Sequence, residues 1–263
     1  MPVTRLLLAV FAIAAVVTPS RAAEPSDTAD APHVVIVLTN HATLGATGEP
    51  TGYYLPEAAH PWHVFTEAGF RVTFASPAGG PAPLDPSSFD RDDPANAAFL
   101  DDPDVQAAVD HTVALEDLDP ATVDAIVFAG GHGTMWDFPS NPAVANAVTD
   151  VHAKGGVVAA VCHGPACFVG VVDESGKPFV SGRRLAAFTD AEERAVEKQA
   201  IVPFLLETRL RELGAAVETA PNFEKQVVVD GRVVTGQNPA SAEAMAREIV
   251  ELVRQGRAAT ATR

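Results

Sequence analysis

The chain alternates between two hydrophobic periods. Short apolar runs rich in Val, Ile and Ala read as strands: "HVVIVLTN" (33–40), "FRVTFAS" (70–76), "DAIVFAGG" (124–131), "VVAAV" (157–161) and "RRLAAFT" (183–189). Helical patterns lie between them. "PEAAHPWHVFTEAG" (56–69) has Pro56 in its first turn and Gly69 as its stop, and residues 102–118, 141–156 and 192–214 follow, the last interrupted at Pro203. "KQVVVDGRVVTG" (225–236) predicts a hairpin turning at Asp230-Gly231, and residues 240–255 an amphipathic helix with a flexible tail after it (257–263). Strands that are apolar throughout and alternate with helices predict an α/β fold, a mostly parallel sheet covered on both faces. The longest stretch without a period is 76–99, rich in Pro and Asp, and it predicts an ordered loop bordering a site.

The first residues follow a different pattern. Arg5 precedes the apolar run "LLLAVFAIAAVV" (6–17), Pro19 breaks it, and "SRA" (20–22) places small residues where a signal peptidase cuts. The run is short for a membrane span. It predicts a cleavable signal over residues 1–22, a flexible leader over 23–32, one domain over 33–256, and a secreted or periplasmic location. The formal charge is −16, and removing Arg5 and Arg21 with the signal makes it −18. So acidic a chain is a poor partner for nucleic acid or an anionic membrane.

The two cysteines, Cys162 and Cys167, carry the candidate chemistry. At the start of one helix, five residues would separate them by roughly 7.5 Å of rise, beyond the roughly 7 Å reach of a disulfide, so two thiols are expected. Cys162 closes the strand 157–161 and opens the next helix. A sharp strand-to-helix turn projects such a side chain outward, and the helix N-terminus is expected to lower its pKa. Gly164 would let another backbone come close, and Pro165 suits a first helical turn. The alternative is a buried structural cysteine.

"AAVCHGP" (159–165) resembles the elbow of the PfpI-like superfamily, within the class I glutamine amidotransferase-like fold. "TGYYLPEAAHPWHVFTEAGFRVTFASPAGGPAPLDPSSFD" (51–90), "AGGHGTMWDFPSNPAV" (129–144), "LAAFTDAEE" (185–193) and "VVTGQNPASA" (233–242) are similar to its heat-shock chaperone and glyoxalase III branch. The resemblance implies a flavodoxin-like three-layer sandwich, often dimeric, and hence a homodimer. It implies a triad of Cys162, His163 and Glu193, with Glu192 as the adjacent fallback. It also implies that Glu57 faces the thiol, that His132 is a pocket wall or substrate contact, and that the Gly131 and His163 N–H groups form an oxyanion hole.

No cofactor is expected, since "GGHG" lacks the Lys or repeated glycines of a phosphate cradle. No metal is expected either: His60 and His63 lie three apart without an evident third ligand. The resemblance implies conversion of methylglyoxal to lactate through a hemithioacetal on Cys162. The alternatives are a holdase chaperone using apolar surface on the interrupted helix 192–214, a thiol redox sensor, and an amidase or peptidase.

Overall fold

The structure, a computed structural model, describes residues 31–261. The expected signal and most of the leader lie outside the described residues. In chain order the elements are β1 (His33–Val37), α1 (Leu55–Glu67), β2 (Arg71–Ser76), α2 (Pro94–Asp101), α3 (Pro103–Asp110), β3 (Val113–Ala114), β4 (Ala125–Phe128), α4 (Thr134–Asp137) and α5 (Pro142–Ala153). They continue with β5 (Val157–Val161), β6 (Arg184–Leu185), α6 (Asp190–Ala195), α7 (Leu206–Glu212), β7 (Ala216–Val217), β8 (Val227–Asp230), β9 (Val233–Gly236) and α8 (Ala242–Ala261).

Seven strands form the central sheet in the order β3-β2-β1-β4-β5-β9-β8. All pairs in it are parallel except the hairpin β8–β9, where Asp230 pairs with Val233. The fold is the flavodoxin-like sandwich expected. Strands β1, β4 and β5 are buried at every position, because side chains alternate between two covered faces. Val34, Ile36 and Val127 pack on one face against Leu55, Phe65, Met245 and Ile249 of α1 and α8. Val35, Ile126 and Val158 pack on the other against Val144, Val148, Leu206 and Leu210 of α5 and α7.

Several boundaries differ from expectation. The strand expected over 183–189 is only the two residues of β6, paired with β7 outside the main sheet. Residues 186–189 instead cross the main sheet's edge, where the Ala186 N–H donates to Thr235 Oγ1 and the Phe188 N–H to the Cys162 carbonyl. The helix expected over 102–118 stops at Asp110 and gives way to β3. The pattern at 192–214 is split into α6 and α7. The segment 76–99 is ordered and contains the start of α2, capped by Asp93. Helix α8 runs to Ala261, through much of the expected tail.

Candidate active site

The site is built where β4 and β5 end, the edge at which open α/β sheets gather ligands. Val161 leads directly into Cys162, whose φ is +60°. A non-glycine residue there sits in the left-handed region at a cost of order 1–3 kcal/mol, a strain that clusters at functional sites. A short 3₁₀ helix (Gly164–Phe168) follows, where an α-helix was expected. The turn is tight enough that a Cβ on Gly164 would fall 2.1 Å from the Phe128 carbonyl oxygen, so only glycine fits.

Cys162 is 3% exposed, and both cysteines are free. Burial, then the Glu57 carboxyl, push the Cys162 thiol well up. This corrects the expectation of a lowered pKa. The His163 backbone N–H does favour the thiolate, but it is outweighed by loss of water and a neighbouring acid.

Glu57 lies in the first turn of α1 and is fully buried. The Gly130 N–H donates to its Oε2 at 2.8 Å, while Oε1 has no hydrogen-bond partner of good geometry. Burial pushes this carboxyl up to about 8, against smaller opposing contributions from Cys162 and the Gly130 N–H. Thiol and carboxyl therefore titrate as one pair. Gly130 makes the approach possible: a Cβ there would sit 2.6 Å from Glu57 Oε2 and 2.7 Å from the His163 nitrogen.

His163 Nδ1 lies 3.4 Å from Cys162 Sγ, and its Nε2 lies 2.7 Å from Glu193 Oε2. The expected Cys162–His163–Glu193 arrangement is thus assembled in space. The other oxygen of Glu193 accepts from His132 Nε2 at 2.9 Å. Burial opposes ionisation of Glu193, but the His163 charge and the hydrogen bonds from both histidines hold it well below the usual carboxylate range. Burial, and then His163, lower His132 to about 4, so its ring is neutral at pH 7. His132 is therefore more than the pocket wall expected of it: it shares the carboxylate.

Glu192, the fallback, faces elsewhere. Its buried carboxylate accepts from the N–H and hydroxyl of Thr189, the Phe223 N–H, Gln237 Nε2 and Asn238 Nδ2. With Thr189 it forms a capping box that starts α6. It thereby fixes the turn that carries Glu193. The Thr-x-x-Glu spacing at 189–192 is the sequence signal that could have separated the two acids.

Gly131 has a φ of +105° and is wedged against Gly52 and Tyr54. Among the described residues no acceptor takes its N–H, as an oxyanion donor requires. His132, His163 and Glu193 place three metal-type donor atoms within 4.8 Å of one another, although no metal was expected. Both Nε2 atoms are already engaged by the carboxylate. His60 and His63 do not join such a cluster; they pair with Asp93 and Glu67. A cavity of about 290 Å³ opens onto Cys162 between Tyr54, His132, Phe188 and Phe223.

A parallel α/β sandwich with a strained cysteine elbow, an adjacent histidine and a buried carboxyl beside the thiol defines a class of cysteine-elbow proteins. The chain belongs to the DJ-1/PfpI family, whose model matches residues 51–252. It is 31% identical to Glyoxalase 3 of Candida albicans over 233 residues, 82% of this chain and 96% of that protein. It is 32% identical to glutathione-independent glyoxalase HSP31 of Saccharomyces cerevisiae, over 84% of this chain and 98% of that one. Among solved structures, Rapid Encystment Protein 24 KDa of Francisella tularensis matches with a TM-score of 0.82 at 36% identity, covering 84% of this chain and 99% of that chain. Glyoxalase III of Candida albicans matches with a TM-score of 0.78 at 31% identity, covering 84% and 97%.

Proposed function

We propose that this protein is a glutathione-independent glyoxalase that converts methylglyoxal, or a related 2-oxoaldehyde, to the 2-hydroxy acid. The observation that carries the reading is the buried Glu57 carboxyl beside Cys162, whose thiol lines a cavity together with His163, itself bonded to Glu193 behind it. Relatives named glyoxalase over nearly their whole length support it.

In the active form Cys162 and Glu57 share one proton. The thiolate sulfur attacks the aldehyde carbon while that proton passes from Glu57 to the aldehyde oxygen, which forms the hemithioacetal and leaves Glu57 as a carboxylate. The hydrogen on that carbon leaves as a proton to Glu57 and returns to the neighbouring carbon, through an enediol held by the Gly131 and His163 N–H groups. The product is a thioester of the hydroxy acid. Water, activated by His163 with Glu193 behind it, cleaves the thioester and frees the thiol. One water is consumed and one acid released, with no net redox change.

Lactate release from methylglyoxal by the purified protein without glutathione is the test. Disappearance of methylglyoxal with no lactate formed would instead mean simple thiol capture, and would sink the enzymatic reading.

The other readings gain less. The large exposed hydrophobic side chains among the described residues, Phe89, Val172 and Phe223, lie outside 192–214, where Ile201, Phe204 and Leu205 are half-buried. Amidotransferase-type amide hydrolysis places the histidine far from the cysteine in sequence, unlike His163.

We further propose that the protein is exported with loss of residues 1–22 and works as a homodimer. Intact mass and sedimentation of protein from its native host check both, with Met1 retained or a monomeric mass as the opposing results.

A further inference from the structure

The cavity is larger than methylglyoxal needs. Even at about 30 Å³ per non-hydrogen atom, the liquid share of a whole free water molecule and so an upper limit for bonded atoms, the five atoms of methylglyoxal fill at most about half of it, against a cavity of about 290 Å³. The remaining lining includes Tyr54, Ser87 and one cationic residue, Lys198.

Lys198 is placed by the same turn that carries Glu193. Its N–H donates to the Glu193 carbonyl at 3.1 Å, and its own carbonyl accepts from the Ile201 and Val202 N–H groups at 2.9 and 3.1 Å. Glu197, just before it, has a φ of +60°, a second strained residue beside the site. Acidic residues outnumber basic ones 34 to 18. Arg91, Arg184, Arg209, Arg211, Arg247 and Arg257 pair with carboxylates; Lys198, like Arg71, Lys154 and several other described cations, has no such pair among the described residues, and it is the cationic residue that lines this cavity.

The carboxylates inside the site do not answer its charge. Glu193 is taken by two histidines. Glu57, buried and raised to about 8, is protonated at neutral pH. Lys198 does act on the cavity interior, where its charge is felt at His132. A lysine lining an oversized, partly apolar cavity, with its charge felt at His132 and no carboxylate ion pair among the described residues, is an arrangement that a ligand anion completes.

We propose that Lys198 makes this site selective for 2-oxoaldehydes bearing a carboxylate a few bonds beyond the ketone, with the reactive end at Cys162 and the carboxylate on the Lys198 ammonium. The turnover part of the proposal rests on the glyoxalase reading, and the anion-binding part does not. A five-carbon member, 4,5-dioxopentanoate, has nine non-hydrogen atoms and at the same upper limit takes no more than about 270 Å³, so the cavity has room for it. The reaction balances as for methylglyoxal: one water enters, the aldehyde carbon becomes a carboxylate, the ketone becomes a hydroxyl, and 2-hydroxyglutarate forms.

Two measurements test it. The first is the ratio of kcat/KM for 4,5-dioxopentanoate to that for methylglyoxal, taken within each protein so that folding losses cancel. The expected ratio is at least about ten for the natural chain, in line with one charge-assisted hydrogen bond. It falls at least tenfold in Lys198→Gln, is largely kept in Lys198→Arg, and declines as salt screens the charge. A ratio near one, or one unchanged in Lys198→Gln, overturns the selectivity.

The second measurement needs no turnover: protection of Cys162 from iodoacetamide by levulinate, which keeps the carboxylate tail but has no aldehyde, against neutral 2-pentanone. Levulinate is expected to protect the natural chain at concentrations at least tenfold lower than 2-pentanone does, and to lose that advantage in Lys198→Gln. Equal protection by both overturns the anion site. Levulinate protection without turnover of either aldehyde removes the glyoxalase reading and leaves the anion site standing.

Discussion

Replacing Cys162 with Ser lowers methylglyoxal turnover at least about a thousandfold, the scale on which loss of a nucleophile acts, while the fold persists. Ser is nearly the same size, and the elbow is held by main-chain contacts that the substitution leaves in place: the Cys162 N–H to the Gly236 carbonyl at 2.9 Å and the Phe188 N–H to the Cys162 carbonyl at 2.8 Å. Cys167 provides the control. It is fully buried in the cluster with Phe168 and Phe179, does not border the cavity, and burial pushes its thiol well up. Brief alkylation followed by peptide mapping therefore labels Cys162 first, through the cavity, and leaves Cys167 unmodified until unfolding. Cys167→Ala costs about 1 kcal/mol in packing and keeps turnover. Label arriving first on Cys167, or a folded but inactive Cys167→Ala, would identify the wrong thiol.

Glu57→Gln gives the second large effect. The amide oxygen can still accept from the Gly130 N–H, but the group that moves the proton is gone, so kcat falls by about a hundredfold or more. In the natural chain kcat/KM rises with pH towards about 8, where the Glu57–Cys162 pair loses its first proton. That limb leaves this position in the variant.

A stability measurement separates the acid's chemistry from its packing. Burial pushes the folded carboxyl up to about 8 from an ordinary value of 4.5. Between these values the native state holds a proton that the unfolded chain has released. Glu57 therefore stabilises the fold most below the unfolded pKa, and this contribution is lost as pH rises through the window, by up to about 1.4 kcal/mol per pH unit. His132, lowered to about 4, contributes with the opposite sign from about 4 to 6.5. Because His132 is present in both proteins, the difference between natural chain and variant isolates Glu57. A difference that stays flat from pH 4.5 to 8 would mean that Glu57 is not held protonated.

Much of this was legible along the chain because it depends on local periodicity. The all-apolar runs at 34–37, 125–128 and 157–161 predicted strands covered on both faces, and Asp230-Gly231 predicted the hairpin. Cys162 was recognisable as a reactive side chain at the end of a strand, and the family resemblance of short motifs pointed to His163, to Glu57 and to Glu193 with Glu192 as its alternative. Gly164 was recognisable too, since glycine after an elbow implies close approach, and the Phe128 carbonyl is the group that approaches.

What the sequence left open was whatever depended on two distant segments meeting. Glu192 and Glu193 are chemically identical neighbours. Only the packing of 220–224 and 236–238 around one of them decides which becomes the buried anchor and which reaches His163 and His132. The pKa of Cys162 went the other way from a local dipole argument, because a helix end acts through one turn, whereas desolvation and Glu57 come from the surrounding fold and α1. Lys198 carries no motif at all. It becomes a candidate ligand for an anion because the turn after α6 folds back over the cavity, and proximity across the chain is what periodicity does not encode.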